Sequence, residues 1–471
     1  MSRINTNVSS LIAQRVLRKN NNSLNQSLAR LSTGLKINSG ADNPAGLIAS
    51  ENLRAEKAGI QQAIENAGRA GNIIGTAEGG LSEVSSLLTE LQNLVSQTAN
   101  SGGLSNEEKQ ANQLQVDSIL STINRIAQST SFQGTKLLNG NYAYTTSGVT
   151  STSLDNVRIN AARVPDSATL NVVVQVVTSA QTGNVGYTGG AIGANGVTIE
   201  VAGNLGTEQL SFASGTTVSS IATAVNAIKA STGVSATVSG AALSLNSTTY
   251  GSDQFVSVKA VAGSFSVSGG SNGKDFGRDA TVNVNGSTGQ SNGLTVSYRT
   301  GNFDVEFDLD STFNKAGTTS FTITGGGATF ALGSKVTEAD KSSIGITSVS
   351  TGSLGDSTTG FLSALASGGA ASLDSENLST SQKIVDKAIK QVSQARGRLG
   401  AFQRFTIGST VTALGVALEN ANAAESAIRD TDFAEETANL TRSQILSAAA
   451  TTVLAQANAS PQSALSLLQG A

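Results

Sequence analysis

The 471-residue chain contains no Cys, no His and no Trp, only three Pro, 4% aromatic residues and 13% charged residues. Each shortage excludes something. Without Cys there is no disulfide, no thiol nucleophile and no thiolate metal site. Without His the commonest general base and metal ligand is missing, so a His-dependent triad and an HExxH zinc site are both ruled out. Paired carboxylates and Ser–Lys chemistry remain open. No local signature for either occurs, so the chain is read as not an enzyme, with no cofactor and no metal. A net charge of −3 offers no basic surplus for phosphates, which argues against a nucleic-acid partner. No run of about 18 apolar residues occurs, so no membrane insertion is expected. The opening "MSRINTNVSS" lacks the apolar core of a secretory signal. By themselves these last two facts suggest a cytoplasmic protein.

What is present is unevenly distributed. Residues 1–140 and 373–471 are rich in Ala, Leu, Gln and Asn at helical spacing, whereas 141–372 are rich in Gly, Ser, Thr and Val with alternation. Ile60, Ala67, Ile74, Leu81, Leu88 and Val95 recur every seven residues, with Ala63, Ala70, Ala77, Val84, Leu91 and Thr98 three places on. That is the seam of a coiled coil, despite the helix-weakening Gly68, Gly71 and Gly75. A second helix reads through Val116, Ile119, Ile123 and Ile126, opened by Ser105 or Asn106 ahead of Glu107 and Glu108. A third carries Val385, Val392 and Leu399, with Ala388, Ala395 and Phe402 three on. The three are expected to share one bundle.

The two ends carry thinner stripes: Ile4, Val8, Leu11, Leu24, Leu28, Leu31 and Leu35 at the start, and Ile445, Ala449, Val453, Leu465 and Leu468 at the finish, interrupted at Pro461. Such helices bury too little to stand alone, so they are expected to order only against a partner. Residues 1–41 hold six cations (Arg3, Arg15, Arg18, Lys19, Arg30, Lys36) and no acid, and residues 419–436 hold six acids and one Arg. Opposite runs of this kind steer pairing and register. Between them, "RLSTGLKINSGADNPAG" (30–46) reads as a joint: Gly34 or Gly40 ends one helix, Asp42 or Asn43 caps the next, and Pro44 takes its first position.

In the middle, 169–177, 197–203, 281–286, 294–299, 303–310 and 320–325 read as strands, and Val218, Ile221, Val225 and Ile228 as one helical face. In "FDVEFDLD" the apolar Phe303, Val305, Phe307 and Leu309 alternate with acids, which predicts one buried and one wet face. The spacing is not that of a calcium loop, and "GNIIGTAEGG" and "ITGGGATF" match no phosphate-loop pattern in context. β-sandwich-like modules are expected.

At this point a resemblance enters. "INTNVSSLIAQR" (4–15), "SLARLSTGLKINSGADNPAGL" (27–47), "NAGRAGNIIGTAEGGLSEV" (66–84), "TSFQGTKLLNG" (130–140), "AIRDTDFAEETANLTRSQIL" (427–446) and "LAQANASPQSALSLL" (454–468) resemble the terminal signatures of bacterial flagellin. Residues 196–260 resemble a small αβ insert of flagellins and hook-associated proteins. Asn43-Pro44 and Ala427 depart from the common pattern.

The resemblance implies an α+β multidomain fold, with a long helical coiled-coil bundle made from both termini and a central β-rich outer domain inserted. Its expected divisions are 1–44 (inner-tube helix), 45–177 (bundle plus hairpin), 178–345 (outer domain), 346–429 (return and bundle helix) and 430–471 (inner-tube helix). It implies a filament subunit, exported unfolded without a cleavable signal and polymerised outside the cell as a helical homopolymer. Its other partners would be an export chaperone, a cap and hook-junction proteins. A hook–filament junction protein, or a subunit whose central domain is an enzyme or adhesin, are the alternatives. The resemblance also points to Toll-like receptor 5. Strongly recognised members carry an arginine after an "EGAL" motif, a leucine four places on and a glutamate on the next helix. Aligned from Glu78, the first two places hold Glu90 and Leu94, and counted back from "TSFQG" the third holds Gln115, so a weak ligand is expected.

Overall fold

A computed structural model describes residues 6–100, 103–165, 168–301, 303–375 and 378–469, with side chains described as far as residue 460. The chain divides into two compact units. One holds residues up to Gly68 together with Ala331–Asp340 and everything from Ile407 onward; the other holds Arg69–Phe330 and Lys341–Thr406.

Helix α1 (Val8–Thr33) starts at Asn7, whose side chain accepts the Ser10 N–H. It stops at Gly34, where φ of +72° returns the amide to the Arg30 carbonyl. Gly40 ends no helix; it lies in the turn that follows, where the Asp42 carboxylate accepts the Asn38 and Ser39 amides. Asn43 then caps α2 (Pro44–Thr98) by accepting the Gly46 amide at 2.9 Å, with Pro44 at the first position. The joint is also tied to the far end of the chain: Lys36 donates to the Arg429 carbonyl and Thr431 to that of Gly34. In the same unit the 331–340 loop lays the Ser334 carbonyl against α2, so close that a Cβ at Gly59 would stand 2.6 Å from it.

Helix α2 runs unbroken for 55 residues through Gly68, Gly71 and Gly75, where an added Cβ would meet nothing. All twelve seam positions from Ile60 to Thr98 are buried. Helix α3 (Asn106–Ser129) opens with a capping box, Ser105 and Glu108 each accepting the other's amide; Val116, Leu120, Ile123 and Ala127 are its buried apolar positions. The short helices α4 (Val218–Ala227) and α5 (Lys229–Thr232) lie in the central region. Helix α6 (Leu378–Ala401) buries Val385, Ala388, Val392 and Leu399 and meets α2 through Arg396–Glu78 and Gln92–Asp386. It continues through a π-helical stretch, Phe402–Gly408, into α7 (Ser409–Arg429). Helix α8 is continuous from Phe433 to Gln469, so Pro461 does not break it.

The β region is two modules. In the first, one sheet orders residues 287–288, 281–284, 170–178, 317–326 and 144–147, and the other orders 290–292, 295–299, 303–309 and 154–162. Both close on Val172, Val174, Val176, Val305, Phe307 and Phe321. The expected division at residue 178 does not follow this packing. Strands 154–162 and 170–178 belong to the sandwich, because their partners lie at 303–309, 281–284 and 317–326. The second module runs from residue 184 to 276. Its two four-stranded sheets and α4 close on Val185, Ile199, Ile221, Val225 and Leu245, and it enters and leaves through a bridge in which Gln181 and Arg278 exchange both backbone hydrogen bonds.

The acids of "FDVEFDLD" do not form a wet face. Asp304 accepts from Asn160 and Arg299, and Asp308 from Asn156 and Thr295. Arg158, on the neighbouring strand opposite Glu306, donates to the Gly355 carbonyl. Hydrophobic alternation alone identified the buried face; the other is half-buried under polar neighbours.

Candidate assembly surface

Helices α1 and α8 pair antiparallel. Asn7 donates to the Ala457 carbonyl, Ser10 to Asn458, Asn20 to the Leu446 carbonyl and Ser447 to Asn21. Near the joint, Arg30 reaches Glu436 at 3.4 Å. Glu425 is paired from just beyond the basic run, with Lys57 at 2.5 Å and Arg54 at 3.9 Å, and Arg429 reaches back to Glu51 at 3.2 Å.

Among the described residues of the two helices, those buried are small or polar: Ser10, Ala13 and Ser27 on α1, and Glu436, Ser443 and Ala450 on α8. The large apolar side chains are elsewhere. Val8, Leu11 and Leu28, and opposite them Ile445 and Val453, are 48% to 64% exposed. Leu24, Leu31 and Leu35 are half-buried. Ile4, Arg3 and the side chains of Leu465 and Leu468 lie outside the described residues. Periodicity therefore located apolar positions but not their partner: the stripe does not zip α1 to α8. It also passed over Ile12, Val16 and Leu446, which are exposed and line, with Ala13, Ala449, Ala450 and Val453, a groove of about 390 Å³. The signal was available, since Val8, Ile12 and Val16 stand four apart on one helical face.

An exposed apolar set of this size on a slender helix pair marks an interaction surface. Burying each such side chain is worth about 1.5–3 kcal/mol. The Ser- and Ala-lined contact within the pair offers far less apolar area. The surface carries no chemistry: among the described residues no group of three or more His, Cys, Asp or Glu is placed to hold a metal, and no helix is long and apolar enough to cross a membrane.

Of the three residues in the receptor alignment, Glu90 on α2 and Gln115 on α3 are exposed, whereas Leu94 is 4% exposed and faces the bundle interior. Leu114, beside Gln115, is the large apolar side chain that this part of α3 leaves in the open.

Comparison with known proteins gives three family matches: the bacterial flagellin N-terminal helical region over residues 4–143, the C-terminal helical region over 382–468, and the flagellin hook IN motif over 196–249. The chain is 30% identical over 473 residues to polar flagellin B/D of Vibrio parahaemolyticus, covering 99% of both. It is 32% identical over 495 residues to the B-type flagellin of Pseudomonas aeruginosa, again covering 99% of both. Among solved structures, FliC from Burkholderia pseudomallei aligns with 71% of this chain and 99% of its own at 15% identity, with a TM-score of 0.25.

Proposed function

From the premise that this chain belongs to the bacterial flagellin family and is a structural subunit of the flagellar filament, not an enzyme, we infer that α1 and α8 are its polymerising element. The observation that carries this is the packing of the pair: the fully buried positions are small or polar, while Val8, Leu11, Leu28, Ile445 and Val453 are exposed. In this reading the exposed stripe and the groove at Ile12, Val16 and Leu446 are covered by neighbouring copies, forming the inner tube. A contact between different patches of successive subunits propagates a helix that does not close. Because the pair is weakly self-sufficient, its ordering entropy is lost only on addition to a growing end, which disfavours premature assembly. The buried seam of Ile60, Ala67, Ile74, Leu81, Leu88, Val95, Val385, Val392 and Leu399 supplies the stiff wall of the next layer, and the two β modules the outer one.

Export follows from the same premise: an unfolded chain without Cys passes through the flagellar channel with no disulfide to trap it, held beforehand by a chaperone and delivered beneath a cap, beyond hook-junction proteins. The filament then lies outside the cell.

Two experiments test the assembly element. Removing residues 1–36 or 445–471 should leave the circular dichroism of bundle and β modules in place and abolish filaments in electron micrographs. The milder quadruple change Val8→Ser, Leu11→Ser, Ile445→Ser and Val453→Ser, which touches no buried position, should do the same. Normal filaments from the quadruple variant would sink the inner-tube role of the stripe.

A further inference from the structure

Asn-Gly is the dipeptide in which an asparagine side chain lies most open to attack by its own backbone, because glycine sets no side chain beside the attacking nitrogen and rotates freely. The chain contains five such pairs: Asn139-Gly140, Asn195-Gly196, Asn272-Gly273, Asn285-Gly286 and Asn292-Gly293. The fold does not leave them equivalent. Asn139 accepts the Asn141 amide through its Oδ1. The Gly196 amide donates to the Gly193 carbonyl at 3.2 Å. Asn285 is held twice by Val173, its Oδ1 accepting that residue's amide and its own amide donating to that residue's carbonyl. Asn292 donates to Asp253, and the Gly293 amide donates to Asp279 at 2.7 Å. Asn272 is exposed, and among the described residues neither its side chain nor the Gly273 amide has a hydrogen-bond partner.

Asn272 and Gly273 are the central residues of a tight turn in the second β module. Ser271 and Lys274 exchange both backbone hydrogen bonds around it, and φ is +54° at Asn272 and +73° at Gly273, as a type I′ turn requires. The strands on either side, Val267–Ser268 and Lys274–Phe276, are short and belong to different sheets, so opening the turn breaks few bonds. Asn285 and Gly286 make the same kind of turn, with φ of +50° and +84°, but there Val173 ties the asparagine down.

We propose that Asn272 is a self-modification site, where the folded chain converts asparagine to aspartate or isoaspartate faster than at its other Asn-Gly pairs. The Gly273 nitrogen loses its proton to water and bonds to the Asn272 Cγ. The Cγ–Nδ2 bond breaks, and the leaving nitrogen takes a proton from water and departs as ammonia. The cyclic imide then adds one water at either carbonyl. Opening on one side restores the backbone with an aspartate side chain; opening on the other routes the backbone through Cγ as isoaspartate. Water is the only co-reactant.

Isoaspartate lengthens the main chain by one methylene, which a two-residue turn of fixed geometry does not absorb. The Ser271–Lys274 bonds would then part. Lys274 would leave its place over the rings of Phe255 and Phe276, where its Nζ stands 4.1 and 4.5 Å from the centroids. Phe276 is already 57% exposed. Age would thus loosen this corner of the second module and bare its aromatic pair.

The test incubates the full-length chain at neutral pH, folded and in concentrated urea, and follows each Asn-Gly pair by peptide mass spectrometry, which reads a gain of about one mass unit. Isoaspartate is counted by isoaspartyl methyltransferase labelling. The urea sample gives the intrinsic rate of each pair. Relative to those rates, folding should slow the other pairs roughly tenfold more than Asn272, the ratio set by about 1.4 kcal/mol less opening free energy at this turn. Slowing at Asn272 as large as at the other pairs would overturn the proposal. So would an unreacted Asn272 in folded protein over a period in which the urea sample reacts. The variant Asn272→Asp brings the charge without the methylene. The Ser271 and Lys274 amides should exchange faster in the isoaspartate fraction than in this variant; equal exchange overturns the loosening of the corner.

Discussion

At the scale of single residues, Asp155 on a sandwich strand and Asp356 in the short strand pair 355–361 have opposite tendencies. Asp155 stands directly across the strand pair from Asp308. Burial first, then the charges of Asp310 and Asp308, push its carboxyl above the ordinary range. Like charges placed opposite each other on a sheet are destabilising. Because the folded-state pKa is the higher one, stability is lost as pH rises through the interval between unfolded and folded values and stays lost above it. Asp155→Asn should therefore raise the urea midpoint at pH 7, with the gain shrinking toward acid; equal midpoints at pH 7 would refute this. Asp356 is the converse. Burial works against its charge, yet Lys387 at 2.9 Å and the Thr359 amide hold its carboxyl below the ordinary range. Its contribution is present above the unfolded pKa and is lost as pH falls through the folded one, so Asp356→Asn should cost stability at pH 7 and cost progressively less on acidification. From the family resemblance we propose that Glu90 and Gln115 weaken a contact with Toll-like receptor 5, so Glu90→Arg with Gln115→Glu should increase signalling by depolymerised protein in reporter cells carrying that receptor. A mispaired charge at an interface centre costs about 2–5 kcal/mol, and strong activation by the unaltered chain would show that these two positions do not matter.

At the scale of elements, helix ends are set by side chains whose removal has a defined cost. Ser105→Ala removes the side-chain acceptor of the Glu108 amide, leaving only the backbone half of the α3 capping box, and should cost about 1 kcal/mol. The loss should appear as faster amide exchange in the first turn of α3, while α2 is unaffected. Gly34→Ala forces a side chain into left-handed backbone at φ +72°, a strain of about 1–2 kcal/mol. It falls where Gly34 accepts the Thr431 amide, so the bridge between the two ends of the chain should loosen, measured as increased exchange at Lys36 and Thr431. The space itself is open, since the nearest atom to an added Cβ is a Phe433 ring carbon at 3.8 Å. Backbone conformation, not crowding, makes that position a glycine.

At the scale of the whole molecule, the paired ends of each insertion decide what can be removed. Excising 182–277 and joining Gln181 to Arg278, already bonded to each other, should leave the first sandwich folded and filaments thinner in outline but intact. Replacing 178–345 by a linker should fail, because it strips strand 170–178 of both neighbours and bares Val172, Val174 and Val176. The cut that removes both β modules between ends already joined is 143–345, since the Ile346 amide donates to the Tyr142 carbonyl at 2.9 Å, although it also takes the 331–340 loop off α2. Recovery of soluble, assembling protein from the 178–345 replacement, as opposed to the 143–345 deletion, would contradict this account of the sandwich.

Much of this was legible in the residues alone. The seven-residue repeat located the α2 seam and the α6 seam, because period seven repeats the same helical face every two turns whatever surrounds it. The cap at Asn43 and the strands at 197–203 and 303–309 were likewise local matters of propensity and alternation. The terminal motifs "INTNVSSLIAQR" and "LAQANASPQSALSLL" pointed to the family. What the residues could not specify was which surface each apolar face meets. Leu11 and Ile445 read as a packing stripe, but only the tertiary structure shows Ser10 and Ala450 taking the inside of the α1–α8 pair and leaving the stripe outward. The acids between Phe303 and Leu309 read as solvated until Arg158, Arg299 and Asn160 were brought to them from other strands, and strand 170–178 joined the sandwich only because residues 281–284 and 317–326 return to flank it. Periodicity is a property of neighbours along the chain, whereas the partner of a face is chosen among segments more than a hundred residues away, by which pairing buries the most and leaves the fewest polar groups unmet.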